Sequence, residues 1–331
     1  MSARSARLIT ILGGILGAIL FYFSIRSAGV GDIADGIRRV GWGLLFILAA
    51  GGIRLFIRAE CWRLCMGTPV GMTQALLAFV AGDAVGNVTP LGLLASEPTK
   101  VLLTRHHLAT REAAASLALE NLVYAASVVA MIGVGILALL VEIDIPAAWR
   151  WIGVVAIVAM AAGALVVSRL MQGTWEHSRG ARPRWRERLS SMRLSVIGYS
   201  ASNRSRLWRA FALDLLFHAT AVVEIYVTLE WLVVATGVTW TQAIVFEALN
   251  RVITVAFKFV PFRIGVDEAL SGALAPVLAI DPAAGVTLAV VRKIRNLFWS
   301  GVGLAIVAAH PSGTPAAPAT DRRGSVSAHR S

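Results

Sequence analysis

Apolar residues run along this chain in long blocks separated by short polar punctuation, and the block lengths are those of membrane-crossing segments. The first block covers residues 8–25, and a short loop with Asp32 and Asp35 leads to a second over 41–60. The next, 72–88, is interrupted by Asp83, Gly86, Asn87 and Pro90 before it can cross, and the chain returns through 91–103 to a basic turn with Arg105, His106, His107 and Arg111. A helix over 110–141 exceeds the ~30 Å hydrocarbon core at 1.5 Å per residue, which puts its first turns at the surface. An acidic turn with Glu142, Asp144 and Pro146 precedes a span over 149–170. Further on come a span over 207–234, an apolar segment 242–260 broken at Pro261, a return segment 265–280 and a last span over 282–309. The tail 311–331, rich in Pro, Ser, Ala and Gly, has no apolar periodicity and reads as disordered.

The pattern predicts an all-α polytopic membrane protein with about six full spans and two re-entrant helical hairpins, or about eight spans if the hairpins are divided differently. Composition agrees: charged residues are 15% of the 331 residues, against roughly 25% in an ordinary soluble domain. Soluble enzyme classes are thereby excluded. The net charge of +12 could suggest nucleic acid, but nine Arg and two Glu within 171–209 hold most of it in one loop between apolar spans. Such a cluster reads as a positive-inside signal, with both termini cytoplasmic, in a bacterial inner membrane. In this orientation the hairpin near Pro90 enters and leaves on the inner side and the one near Pro261 on the outer side. Cys61 and Cys65 are too few for a disulfide framework and read as buried core thiols. No cofactor or metal site is expected.

An offset of 171 residues lays Pro90 on Pro261, Leu93 on Ile264, Glu97 on Glu268 and Leu103 on Leu274. Apolar matches are common in so hydrophobic a chain, but paired Pro and Glu, seven residues apart in both copies, are not. Each copy has the order span, broken hairpin, span. The predicted organisation is a first membrane repeat (1–170), a basic cytoplasmic loop (171–208), a second, inverted repeat (209–310) and the tail. Inverted repeats with broken helices are suited to holding a substrate near the midplane and exposing it alternately to the two sides. Non-helical backbone at that depth is tolerated only inside protein or beside a watery cavity.

Ionisable residues at membrane depth are costly and mark function. Near the hairpins lie Asp83, Asn87, Glu97, Lys100, Asn250, Arg251, Arg263, Asp267 and Glu268; on the adjoining helices lie Glu120, Asn121, Arg292, Lys293, Arg295 and Asn296. From these, Asn87, Glu97, Lys100, Glu120, Arg251, Arg263, Glu268, Arg292 and Arg295 are the candidate substrate-binding residues. Arginine forks suit a phosphate, or the carboxylates Glu97 and Glu268 in internal salt bridges; both uses remain open. Asp214, Glu224 and Glu230 have no repeat partner and read as structural or interfacial. Arg54, Arg58 and Glu60 lie within snorkelling reach of an interface.

The stretch Thr89-Pro90 … Glu97-Pro98 … Arg105 … Ala114 … Glu120-Asn121 resembles the "TP…GEP" segment of the lysylphosphatidylglycerol synthase transmembrane, or flippase-like, family. Residues Pro261-Phe262-Arg263-Ile264-Gly265-Val266-Asp267-Glu268 resemble that family's P-x-x-(I/L)-G-x-x-E signature. Ser96 stands where Gly is usual before the Glu, and Asn121 where Arg is common. The likeness runs over about 8–309 and implies translocation of a lipid or lipid-linked amphiphile between leaflets. The short polar tail stands where full-length synthases continue into an aminoacyl-transferase domain, so the resemblance implies the membrane part alone.

The expected function is flipping of a membrane lipid with an anionic headgroup held between the two hairpins, with no catalytic residues and no nucleic-acid partner. The alternative is an integral-membrane enzyme or accessory scaffold in lipid or isoprenoid biosynthesis, such as hopanoid synthesis. A homo-oligomer and a lipid-synthesis partner are both compatible with the sequence.

Overall fold

A computed structural model describes residues 19–68, 70–89, 92–142, 203–233, 237–258 and 260–309, and within 150–163 all but 152, 159 and 161. The first part of the opening span, Pro90, Asp144, Pro146, the basic loop up to residue 202 and the tail 311–331 lie outside the described residues.

Every regular element among the described residues is helical. In chain order these are α1 (Ile19–Ala28), α2 (Val30–Val40), α3 (Gly43–Leu64), α4 (Met72–Val88), α5 (Leu93–Thr104), α6 (Thr110–Glu142), α7 (Arg204–Leu232), α8 (Trp240–Ala256), α9 (Val266–Leu274) and α10 (Pro282–Ala309). Short 3-10 turns, Pro261–Arg263 and Ala275–Leu278, flank α9. Further helical residues lie within 150–163.

The segment before α3 differs from the expected loop. Ile33, Gly36, Ile37 and Val40 recur at helical spacing, and Ile33, Gly36 and Val40 are buried, which makes α2 an amphipathic helix. Asp35 and Arg38 pair on its exposed face at 3.0 Å. Gly41, at φ +45°, then turns the chain by 77° into α3; a left-handed backbone of this kind favours glycine. α8 starts with a capping box in which the Thr239 hydroxyl accepts from Gln242 N–H and the Gln242 side chain accepts from Thr239 N–H.

Among the described residues two helices, Thr110–Val141 and Arg204–Leu232, are long and apolar enough to cross a membrane, and the bent pair α2–α3 makes a third if it is taken as one span. α10 is as long, but it carries Arg292, Lys293 and Arg295 near its middle. Large apolar side chains such as Leu122, Val129, Val134, Leu215, Leu216 and Val223 face outward from α6 and α7. An apolar exterior of this extent suits lipid and would be a liability in water.

Helices α3 and α7 pack against each other at the centre. Around them α4 packs on α10 and α8 on α6; α3 also touches α4 and α10, and α7 touches α8 and α6. α4 and α5 form an antiparallel pair, since Gly82 faces Lys100 and Gly86 faces Gly92 and Ser96. A Cβ on Gly92 would stand 2.5 Å from the Gly86 carbonyl oxygen, so this approach is backbone on backbone. α9 and α10 are likewise antiparallel, with Gly272 against Val286 and Gly285 against Ser271 and Ala275. One apolar cluster, with Trp62, Met66, Phe79 and Leu117, joins α3, α4 and α6. A larger one, with Ile225, Leu229, Phe246 and Leu288, joins α7, α8 and α10.

Candidate functional site

Five arginines and four carboxylates meet where α3, α6, α7, α8 and α10 converge. Arg54 and Arg58 stand one turn apart on α3, where the chain was expected to send them out to an interface; instead each is 7% exposed. The reason is that α6 and α7 supply buried acids. Arg58 pairs with Asp214 at 2.9 Å and with Glu120, while Arg54 lies 3.5 Å from Glu224. Both oxygens of Glu224 accept from Arg295. Glu247 receives Arg251 at 2.8 Å on one oxygen and Arg292 at 3.2 Å on the other. Arg292 also reaches Glu224 at 3.8 Å, which links the two carboxylates. Asn250 lies between Arg251 and Arg292 with its amide oxygen toward both guanidiniums.

Aromatic faces cover the remaining sides of these cations. The Arg58 guanidinium carbon is 3.8 Å from the Tyr124 ring centroid, and that of Arg54 is 4.3 Å from the Phe217 centroid. Arg251 donates to the Tyr124 hydroxyl at 2.9 Å. Burial of an ion costs several kcal/mol, and close pairing with cation–π contact offsets it. Glu120, Asp214, Glu224 and Glu247 are each at most 1% exposed, so they stand behind the arginines.

The front of this layer opens into a cavity of about 280 Å³. Of the nine residues singled out in the sequence, seven line it: Asn87, Glu97, Lys100, Arg251, Arg263, Arg292 and Arg295. Asn87 donates to Asp83 at 3.1 Å, Lys100 pairs with Glu97 at 3.2 Å, and Arg263 pairs with Asp267 at 3.2 Å. Glu120 and Glu268 are not in the lining. Glu120 is held by Arg58, and Glu268 accepts from Gly265 N–H at 2.8 Å and pairs with Lys293 at 2.6 Å. The break before α9 is strained, with Phe262 and Arg263 at φ +50° and +49°, and both line the cavity.

Sequence reasoning missed Arg54, Arg58, Tyr124, Phe217 and Lys258, all of which line the same space. The only signal for the first two was their i, i+4 spacing on a long apolar helix. Asp214 and Glu224, read as structural, are the buried partners of the lining arginines, and Glu230 accepts from Val238 N–H at 3.2 Å. Cys61 and Cys65 are buried free thiols. Among the described residues no group of three His, Cys, Asp or Glu is placed to hold a metal ion.

In total eight basic and three acidic side chains face the cavity. Arginine forks fixed from behind by carboxylates and from the side by aromatic rings are preorganised to receive an oxyanion. No curated protein matches the chain. The sequence profile of the lysylphosphatidylglycerol synthase TM region matches residues 10–303, nearly the whole chain, and the protein belongs to that family of membrane proteins with lipid-related function.

Proposed function

We propose that the protein moves a lipid or lipid-linked amphiphile with an anionic headgroup between membrane leaflets, as a translocator and not an enzyme. The headgroup sits in the arginine-lined cavity, between re-entrant hairpins formed by α4–α5 and by α8–α9. The observation that carries this reading is the inverted distribution of polarity: an apolar exterior around a cavity faced by eight basic and three acidic groups. Charges at that depth are costly even when paired, and those that persist there usually mark a substrate path.

The packing adds support. The offset of 171 residues lays α3 on α7, α4 on α8, α5 on α9 and α6 on α10. Among these eight helices the exchange leaves the set of packed pairs unchanged: α4–α10 becomes α8–α6, α3–α4 becomes α7–α8, and α3–α10 becomes α7–α6; α2, which packs on α7 and α10, has no counterpart among the described residues. This equivalence favours two equivalent halves, which we read as inverted repeats with six spans and two hairpins, both termini being cytoplasmic in a bacterial inner membrane by the placement of Lys and Arg. Inverted halves around one midplane site provide a route for alternating access.

The test is a leaflet-accessibility assay with fluorescent phosphatidylglycerol in reconstituted vesicles. Wild type is expected to expose the inner-leaflet probe faster than empty vesicles, and Arg292→Gln to lose most of that rate. Equal rates for wild type, variant and empty vesicles overturn the reading.

A further inference from the structure

Behind the arginines lies one titratable group that the anion reading leaves without a role. His218 is at the middle of α7 and 2% exposed. Its Nε2 lies 3.2 Å from the Ser127 hydroxyl and its Nδ1 lies 3.5 Å from a Glu247 oxygen. Ser127 has a single hydroxyl hydrogen, which its 2.8 Å contact directs to the Tyr124 carbonyl oxygen. We therefore take the serine oxygen as the acceptor for His218, which puts the imidazole hydrogen on Nε2. Nδ1 is then a bare lone pair facing a carboxylate oxygen, and it has no hydrogen-bond partner in the structure. Two acceptors face each other with room for one proton between them.

Burial itself opposes a charged imidazole, and cations stand close by: Arg251 from α8 shares Glu247 with His218, and Arg54 from α3 lies over the Phe217 ring that packs on the imidazole. Beyond them, Arg292 and Arg295 of α10 share Glu247 and Glu224, while Asp214 lies one turn away on α7 itself and is held by Arg58. α6 contributes the uncharged Ser127 and the Tyr124 ring, which is stacked on the imidazole with centroids 6.0 Å apart. An anion engaging Arg251 and Arg292 offsets part of this positive charge and competes with Glu247 for both guanidiniums. Glu247 then needs another cation, and the nearest candidate is His218.

We propose that His218 is a proton site coupled to anion binding: when the headgroup engages Arg251 and Arg292, a proton from solution binds His218 Nδ1 and bridges to Glu247. One proton enters with one negative charge, so the loaded cavity gains no net charge. By linkage each ligand then strengthens the binding of the other, and a proton gradient can drive the lipid. The inference rests on the anionic-lipid reading of the same cavity.

The test is calorimetry of dihexanoyl phosphatidylglycerol binding to the detergent-solubilised protein at neutral pH, in two buffers of different ionisation enthalpy, with dihexanoyl phosphatidylcholine as the uncharged-balance control. Wild type is expected to take up close to one proton per bound phosphatidylglycerol and His218→Gln to take up almost none while still binding the lipid. In vesicles an imposed proton gradient is expected to accelerate the lipid severalfold in wild type and to leave His218→Gln unchanged. Equal proton uptake by both proteins, or binding to wild type with no uptake, overturns the proton site and leaves the lipid reading standing. Absence of phosphatidylglycerol binding to wild type overturns both. A merely structural histidine would alter stability without altering the proton count.

Discussion

Arg58 on α3 and Asp214 on α7 meet at 2.9 Å although 156 residues separate them in sequence, and Glu120 of α6 closes on the same guanidinium. One cation therefore ties three helices together, and both of its carboxylate partners are buried. Arg58→Met leaves two buried carboxylates facing each other and is expected to cost about 3–5 kcal/mol of stability. Asp214→Asn leaves Arg58 with Glu120 and should cost less, about 1–3 kcal/mol. Reversible unfolding in detergent measures both. A larger loss for Asp214→Asn than for Arg58→Met would contradict the shared-cation arrangement.

Glu97 and Glu268 occupy matching positions of the two repeated segments, yet their surroundings divide them. The Glu268 side chain is fully buried against Lys293 and the start of α9, whereas that of Glu97 is 23% exposed in the cavity wall. Glu268→Gln keeps an acceptor for Gly265 N–H but strips Lys293 of its close partner, so it should lower the melting temperature with little change in lipid affinity. Glu97→Gln removes negative charge from the lining and should tighten anionic-lipid binding severalfold with a smaller loss of stability. Thermal melts and lipid titrations on the same two variants separate the effects; the opposite assignment would show Glu268 to be the ligand-facing member.

Much of this organisation was legible because apolar block length and helix length are the same quantity. The stretches 72–88 and 282–309 emerge as α4 and α10, and 110–141 emerges as α6 with one further residue. Charges on interrupted segments, such as Lys100 and Arg251, pointed to the cavity because only a buried polar environment tolerates them. Arg54 and Arg58 were misplaced for a different reason. Position on one helix cannot distinguish an arginine snorkelling to an interface from one turned inward, because the deciding partners, Glu120, Asp214 and Glu224, belong to other helices. The same blindness applies to α2: its two aspartates and two arginines look like a loop until Ile33, Gly36 and Val40 find the surface of α7 and α10.

Glycine at the crossing of α4 and α10 sets how closely the two can approach. A Cβ on Gly303 would lie 2.4 Å from the Val80 carbonyl oxygen and 2.4 Å from the Ala84 Cβ. Backbone cannot swing aside, so Gly303→Ala must push the helices apart, at a cost of about 1–3 kcal/mol. A Cβ on Gly301, two positions earlier, would meet nothing within 4 Å. Gly301→Ala should be neutral or stabilise by up to ~1 kcal/mol through helix propensity. Melting both variants in parallel checks this; equal shifts would mean that the crossing yields more easily than its backbone contact implies.

Cysteine chemistry offers a direct view of the cavity. Cys61 and Cys65 are the two cysteines of the chain and are 0% and 2% exposed, so a water-soluble maleimide should leave the native protein unlabelled. Thr254 and Asn296 both line the cavity. Thr254→Cys and Asn296→Cys should therefore label readily in detergent, without background from the native thiols. Because Thr254 lies one turn beyond Arg251 and Asn296 follows Arg295, a headgroup held by those arginines will shield both positions. Added phosphatidylglycerol is expected to slow labelling at both sites severalfold, while phosphatidylcholine leaves it nearly unchanged. Labelling that is fast and indifferent to either lipid would place the anion elsewhere, whereas labelling of Cys61 in the native protein would mean that the α3–α7 contact opens on its own.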